Sequence, residues 1–228
     1  GVGPPVQVFA LFRDRQGLVW VGTNQGLFRF GGTPSSFNWE RRIEGDARAL
    51  SDDRVNGMLV DRAGTLWVAT NDGLNRRRAG EEGFEPLRTD LDGEHANAFW
   101  WPFEDRAGTL WLGTKRRGLM RLDRVTERFE SIYIPPGLFP EELGIEAWSI
   151  LPVRHLTEDQ HGTLWISTSI GLFRRDPDGT LTSYLHDPSR QGGLPDPRVS
   201  IVHESSGGGR WIGTDGGLCR LVDEAPPG

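Results

Sequence analysis

Asp61-Arg-Ala-Gly64-Thr-Leu-Trp67-Val-Ala-Thr70-Asn-Asp-Gly73-Leu74 is one of five copies of a single pattern, Asp-x-x-Gly-x-x-Trp-x-x-Thr-x-x-Gly-Leu. The first copy has Asp14, Gly17, Trp20, Thr23, Gly26 and Leu27. The third has Asp105, Gly108, Trp111 and Thr114, then one extra residue before Gly118-Leu119. The fourth has Asp159, Gly162, Trp165, Thr168, Gly171 and Leu172. The fifth puts Ser205 in the Asp position, followed by Gly208, Trp211, Thr214, Gly217 and Leu218. The tryptophans are spaced 47, 44, 54 and 46 residues apart, a period that belongs to repeat architectures.

Each copy has a physical reading. Six residues before the Asp position sit Val8, Val55, Phe99, Val153 and Val199; three residues later come Leu11, Met58, Pro102, Leu156 and Val202. Such short apolar runs suit a buried strand. Asp-x-x-Gly makes a tight turn, because the carboxylate can accept from backbone N–H groups just ahead and glycine takes a positive φ. A second strand carries the Trp. A second turn follows, such as Asn24-Gln25-Gly26 or Asn71-Asp72-Gly73, then a third strand of the type Gly26-Leu-Phe-Arg-Phe30. Fourth strands are expected at Phe37-Asn-Trp39-Glu-Arg, Phe84-Glu-Pro-Leu87, Phe129-Glu-Ser-Ile132-Tyr133 and Leu181-Thr-Ser-Tyr184.

Four antiparallel strands per ~45 residues predict an all-β protein, a β-propeller of about five four-stranded blades. The blades fall at approximately 6–45, 53–92, 97–134, 151–186 and 197–222, in one propeller region spanning 1–228. All five repeat tryptophans are expected to be buried between adjacent blades. The fifth copy ends in Gly217-Leu-Cys-Arg-Leu-Val222 and a Pro-rich tail, leaving no room for a fourth strand. Gly1-Val-Gly-Pro-Pro5 is too short and Pro-rich to supply one by ring closure. The expectation is an incomplete last blade and a partial ring of a longer propeller, with a closed five-blade ring as the alternative. The start at Gly1, without Met or a leader, reads as a mature form or an excised piece.

Composition narrows the function classes. The chain has 26 Lys+Arg against 32 Asp+Glu, a net charge of −6, and no basic block, which argues against nucleic acid or anionic lipid as partner. No stretch approaches the ~18 apolar residues of a spanning helix, so no membrane contact by this segment is expected. Cys219 is the sole cysteine, which excludes an internal disulfide framework and a Cys-based zinc cage. The histidines at 95, 155, 161, 186 and 203 lack metal-ligand spacing. Nothing resembles a nucleophile elbow, a P-loop or a dinucleotide motif. The acidic residues of the repeated slot read as turn formers. No catalytic residue, metal or cofactor is therefore expected.

Blade-by-blade comparison locates a candidate ligand site. Directly after the repeated apolar position the inner strands read Phe9-Ala10, Asn56-Gly57, Trp100-Trp101, Arg154-His155 and Ser200-Ile201. Small or modest residues are expected where strands crowd the axis, yet the third and fourth copies carry aromatic and cationic groups. The extra residue of the third copy lies in Lys115-Arg116-Arg117. The 54-residue step places Pro135-Pro-Gly-Leu-Phe-Pro140-Glu-Glu-Leu-Gly144 ahead of the fourth inner strand, followed by Trp148. All of these belong at one mouth of the channel. The candidate ligand-binding residues are Trp100, Trp101, Arg116, Trp148, Arg154 and His155, with Glu141, Glu142 and Glu146 offsetting the arginines. Stacking aromatics with planar donors suit a carbohydrate or other small ligand. The alternative is that Trp100 and Trp101 plug the channel or pack between blades. Strand alternation sends these two to opposite faces, so at most one is expected to meet a ligand.

The runs Leu50-Ser-Asp-Asp-Arg-Val55, Asp61 through Asn75 and Trp211-Ile-Gly-Thr-Asp-Gly-Gly-Leu218 resemble the two-component regulator propeller repeat, and the five copies cover almost the whole chain. The resemblance implies a place in the extracytoplasmic sensor of a bacterial, often hybrid, histidine kinase. There two seven-bladed propellers typically precede an immunoglobulin-like domain, a transmembrane helix and the kinase, and several members respond to carbohydrates. It implies a non-catalytic ligand-sensing or interaction module, periplasmic or extracellular. Its partners would be further blades and downstream signalling domains, with a homodimer open. Five copies rather than seven or fourteen depart from that pattern. A second expectation is a structural or adhesion propeller without a small ligand. A third comes from the streptogramin lyases, which are also seven-bladed. Their chemistry needs a histidine and acidic groups with a divalent metal at the ring centre, and His155 is the only histidine well placed for that.

Overall fold

The computed structural model describes residues 5–14, 17–31, 37–91, 97–139, 151–189, 192–205 and 209–221. The first sheet contains β1 (Val8–Arg13), β2 (Val19–Thr23), β3 (Gly26–Phe30) and β4 (Phe37–Glu40), hydrogen-bonded in that order. The second contains β5 (Val55–Val60), β6 (Leu66–Thr70), β7 (Gly73–Arg77) and β8 (Glu85–Leu87). The third contains β9 (Phe99–Glu104), β10 (Leu110–Thr114), β11 (Leu119–Leu122) and β12 (Phe129–Ser131). The fourth contains β13 (Val153–Glu158), β14 (Leu164–Thr168), β15 (Gly171–Arg175) and β16 (Leu181–Leu185). The fifth has three strands, β17 (Val199–Glu204), β18 (Arg210–Thr214) and β19 (Gly217–Leu221). All pairings are antiparallel. Inner strands β1, β5, β9, β13 and β17 stand side by side in chain order. Among the described residues the one helical element is the 3₁₀ turn Pro136–Leu138.

The repeated spacing now has a mechanism. In the second blade, Gly64 sits at φ +83° and donates to the Asp61 carbonyl. One carboxylate oxygen of Asp61 accepts from Thr65 N–H at 2.8 Å, and the other accepts from the Trp67 indole at 2.8 Å. Asp14 with Trp20, Asp105 with Trp111 and Asp159 with Trp165 repeat the pair. The Asp therefore does two jobs: it closes the turn, and it fixes the ring six residues on. The Thr hydroxyl then donates to the carbonyl of the second-turn glycine in all five copies. In the fifth copy Ser205 closes the turn through its hydroxyl and Gly209.

The apolar core lies between blades rather than within one layer. Trp20, Leu27, Val55, Leu66 and Val68 pack the first interface. Trp67, Leu74, Phe99, Leu110 and Leu112 pack the second. Trp111, Leu119, Val153, Leu164 and Ile166 pack the third, and Trp165, Leu172, Val199 and Ile212 the fourth. Each tryptophan faces the following blade. An arginine of that blade lies over the ring: Arg77 on Trp20, Arg124 on Trp67, Arg175 on Trp111, Arg210 on Trp165, an arrangement that adds cation–π attraction to burial. The approach is close enough that a Cβ on Gly57 would overlap the carbonyl oxygen of Trp100 in the next inner strand.

Two expectations need correction, for one reason. Trp20, Trp67, Trp111 and Trp165 are buried, but Trp211 is 40% exposed. Leu218 is 66% exposed, whereas its equivalents Leu27, Leu74, Leu119 and Leu172 are fully buried. At the other end Leu11 is 72% exposed, while Leu156 in the same slot is 1% exposed. Apolar identity marks the face; burial also requires a blade on it. Among the described residues no blade covers the outward faces of the first and fifth sheets.

A polar clasp ties successive blades at the end opposite the second turns. The last inner-strand residue of one blade accepts from the turn amide of the blade before it. Glu104 accepts from Arg62 N–H at 2.8 Å, Glu158 from Arg106 N–H at 2.8 Å, and Glu204 from Gln160 N–H at 3.0 Å. Glu104 also takes a hydrogen bond from Arg124 at 2.8 Å. Glu104→Ala is expected to destabilise the chain by about 2 kcal/mol, the scale of charged hydrogen bonds. Val60, which fills the same slot without a carboxylate, provides the control: Val60→Ala should cost only its packing. Urea denaturation of the two variants checks this.

Candidate functional site

Every inner strand is broken at the same place. The β1–β2 register shifts between Val8 and Ala10, β5–β6 between Val55 and Gly57, β13–β14 between Val153 and His155, and β17–β18 between Val199 and Ile201. In β9 the residues Phe99 and Trp101 pair with Thr114 and Gly113, leaving Trp100 between them. Phe9, Asn56, Trp100, Arg154 and Ser200 are thus bulge residues, released from the ladder. Bulges re-aim side chains, which is why they recur beside sites. Five chemically different side chains are held at equivalent positions, at the end of the inner strands that lies toward the second turns.

Their contacts define two clusters. On the first and second blades, Arg54 lies over the Phe9 ring at 4.3 Å and donates to Asn56. Asn56 in turn donates to Asn71 of the second turn and to the Phe99 carbonyl of the next inner strand. On the fourth and fifth blades, Asp215 of the β18–β19 turn gathers Arg154 at 3.4 Å, Arg198 at 3.2 Å and the Ser200 hydroxyl at 3.3 Å. Arg198 also pairs with Asp196 at 3.1 Å. Trp100 stands between the clusters, half-buried.

The candidate residues separate accordingly. Trp101 pairs with Gly113 and packs on the core of the third interface, its ring 4.8 Å from that of His155. Phe99 packs on the second interface and Trp101 on the third, so the bulge at Trp100 interrupts the simple alternation expected for these positions. Arg154 belongs to the Asp215 cluster. Arg116 is exposed in the turn between β10 and β11. Trp148, Glu141, Glu142 and Glu146 lie outside the described residues. Part of the insertion is not a mouth loop: Phe139 is buried against Phe173, 5.4 Å between ring centres, and Ile134 joins the same core.

His155 is not a solvated base. Burial pushes its imidazole down to about 4, so it is neutral at neutral pH. Its Nδ1 is enclosed without a hydrogen-bond partner, as is the hydroxyl of Ser167 opposite it on β14. Cys219 is half-buried, and burial raises its thiol pKa, which disfavours the reactive thiolate. Among the described residues no group of three or more His, Cys, Asp or Glu stands where it could hold a metal ion.

Sequence reasoning missed two features. One is the Asp215 cluster; its signal is the first residue of the second turns, which reads Asn24, Asn71, Lys115, Ser169 and then acidic Asp215. The other is a concavity of about 370 Å³ on the second blade, lined by Arg42, Glu44, Asp46, Asp72, Pro86 and Arg88 among others. Arg88 is held there by Asp72 at 3.0 Å. It is built by the irregular connection from β4 to β5, which carries no periodic signal.

Residues 3–25 and 49–72 match the family described as Two component regulator propeller. No protein of curated function matches the chain. Among solved structures, the extracellular domain of a hybrid two component system from B. thetaiotaomicron is 18% identical, with 96% of this chain and 38% of that one covered and a TM-score of 0.51. Virginiamycin B lyase from Staphylococcus aureus is 13% identical, with 96% and 71% covered and a TM-score of 0.64. PorZ, a surface component of the type-IX secretion system of Porphyromonas gingivalis, is 15% identical, with 93% and 31% covered and a TM-score of 0.62. At these identities the shared property is the β-propeller fold. The chain spans under two fifths of the B. thetaiotaomicron domain.

Proposed function

We propose that this chain, which carries two-component regulator propeller repeats, is a non-catalytic ligand-sensing or interaction propeller of the extracytoplasmic region of a bacterial two-component signalling protein. The family match and the likeness to an extracellular domain of a hybrid system support that setting. The compartment is then periplasmic or extracellular. Among the described residues no helix is long and apolar enough to cross a membrane.

One observation supports the ligand reading: Trp100 and Arg154 are bulge residues at equivalent positions of adjacent inner strands. A half-buried indole and, on the next inner strand, a guanidinium held at one side by Asp215 would offer a stacking face and a planar donor. A carbohydrate or other small ligand of neutral or acidic character fits that pair. Binding would shift the populations of dimer geometries that downstream signalling domains read.

A panel of neutral and acidic saccharides titrated into the chain, followed by tryptophan fluorescence, tests this. Trp100→Ala is expected to weaken a confirmed ligand by about 1–3 kcal/mol, on the scale known for base–aromatic stacking. Trp101→Ala should instead lower stability, because that ring is part of the blade packing. If Trp100→Ala, Arg116→Ala and Arg154→Ala all leave the affinity of a confirmed ligand unchanged, the mouth is not the site.

A further inference from the structure

The connection from β4 to β5 walls the concavity of about 370 Å³ on the second blade, a volume within the ~300–1,000 Å³ of ligand pockets. The wall is pinned along its length. The Arg42 N–H donates to Asp53 at 2.6 Å, the Asp46 N–H to the Ile43 carbonyl at 3.1 Å, and the Arg48 N–H to Asp46 Oδ1 at 2.8 Å. At the floor Leu50 is buried, and Ser51 is tied into the second blade. Its N–H donates to Asn75 Oδ1 at 2.9 Å, and its hydroxyl shares a hydrogen bond with that of Thr70 at 3.0 Å. A wall fixed by the fold itself loses little freedom on binding.

The charges around this concavity do not all cancel internally. Arg88 is engaged by Asp72 through two hydrogen bonds of 3.3 and 3.0 Å. Arg48 donates to the Glu82 carbonyl, and Arg41 lies over the Trp39 ring at 4.7 Å. Among the described residues the Arg42 guanidinium and the Glu44 carboxylate have no partner, and they do not pair with each other. Both residues line the concavity and both are exposed. Ile43, between them in the chain, is 56% exposed, and Pro86 adds apolar surface from β8. One free cation, one free anion and an apolar patch therefore share a single concavity.

We propose that this concavity binds an aliphatic α-amino acid in its zwitterionic form. The ligand's carboxylate would pair with Arg42, its ammonium with Glu44, and its side chain would lie against Ile43 and Pro86. Both charged side chains are long and exposed, so they can close on the two charges of one small ligand. A ligand of single charge would answer only one of the two. The site does not depend on the ligand reading at Trp100 and Arg154.

The probe is leucine, titrated into the 228-residue chain and followed by amide chemical shifts. The pH is held at about 6, below the ~7.7–8.0 of an α-amino group, so that the amine stays charged. Saturable shifts centred on residues 42–51 are expected. Two blocked forms divide the recognition: N-acetyl-leucine keeps the carboxylate alone, and leucinamide keeps the ammonium alone. Each should bind about three- to fivefold more weakly than leucine, the scale of a solvent-exposed ion pair. Glycine, with both charges and no aliphatic group, should also bind more weakly. Arg42→Gln should weaken leucine but not leucinamide, and Glu44→Gln should weaken leucine but not N-acetyl-leucine. Both side chains are exposed and unpaired among the described residues, so neither change should disturb the fold. The proposal is overturned if leucine gives no saturable shifts, if a blocked form or glycine binds as well as leucine, or if each variant weakens every probe alike. Shifts centred on Trp100 and Arg154 would overturn it too, because they would put the ligand at the bulges instead.

Discussion

Trp67→Ala is expected to lower the unfolding free energy by about 3–5 kcal/mol, as for other buried aromatics. Trp211→Ala, the same change in the same repeat slot, should cost only about 1 kcal/mol, because a ring already exposed loses less on truncation. Trp67 is 2% exposed, is held by Asp61, and lies under Arg76 and Arg124. Its removal opens a cavity between the second and third blades and takes one hydrogen bond from the buried Asp61 carboxylate, which keeps those from Thr65 and Arg124. Trp211 is 40% exposed, so little of its surface is being kept from water. Among the described residues the main strand contacts lie within a blade or between adjacent blades, so stability is close to a sum of local terms and interfaces. Urea denaturation of both variants gives the difference directly. Equal losses would mean that the tryptophan stabilises its own sheet rather than the next interface.

The fold was legible because its information is periodic. Glycine at positive φ, the Asp turn and the apolar third-strand leucine recur together, and each copy corroborates the others. Three things were not legible, each for a physical reason. Exposure of Leu11, Trp211 and Leu218 depends on neighbours, which a residue's own identity does not encode. The bulges were hidden because Phe9, Asn56, Trp100, Arg154 and Ser200 share no side-chain chemistry; only the backbone register unites them. The insertion looked like a site element because it interrupts the repeat, yet Phe139 turned out to be a core residue. The repeated Asp was read as a turn former. That was half of its work, since the bond to the indole six residues on needs the folded strand to bring the two together.

Asp159→Asn is expected to cost about 3–5 kcal/mol at neutral pH, the scale for breaking a buried ion pair from one side. The Asp159 carboxylate is 3% exposed and accepts from the Trp165 indole at 3.0 Å, Thr163 N–H at 3.0 Å, His161 N–H at 2.9 Å and Arg210 at 3.0 Å. Burial by itself would raise its pKa. The hydrogen bonds from Trp165, Thr163 and His161 and the Arg210 charge together outweigh that and hold it below the usual carboxylate range. A depressed folded pKa means that the ionised form stabilises the fold. The contribution is complete above the ordinary aspartate pKa near ~3.9 and is lost as pH falls through the lower folded value. Asparagine keeps one acceptor for the turn amides but turns N–H groups toward Arg210 or the indole, leaving a buried guanidinium uncompensated. Asp105→Asn is the matched comparison. Asp105 holds Trp111 in the same way, at 2.7 Å, but no ion pair reaches it among the described residues. It should cost about 1–2 kcal/mol, the worth of hydrogen bonds alone. Denaturant midpoints at pH 7 and pH 3 should show the gap between wild type and Asp159→Asn narrowing in acid, because below the ordinary aspartate pKa near ~3.9 the unfolded chain takes up a proton that the folded carboxylate, held lower, resists. A gap that stays constant across that range would mean that Asp159 acts by shape and hydrogen bonding rather than by charge.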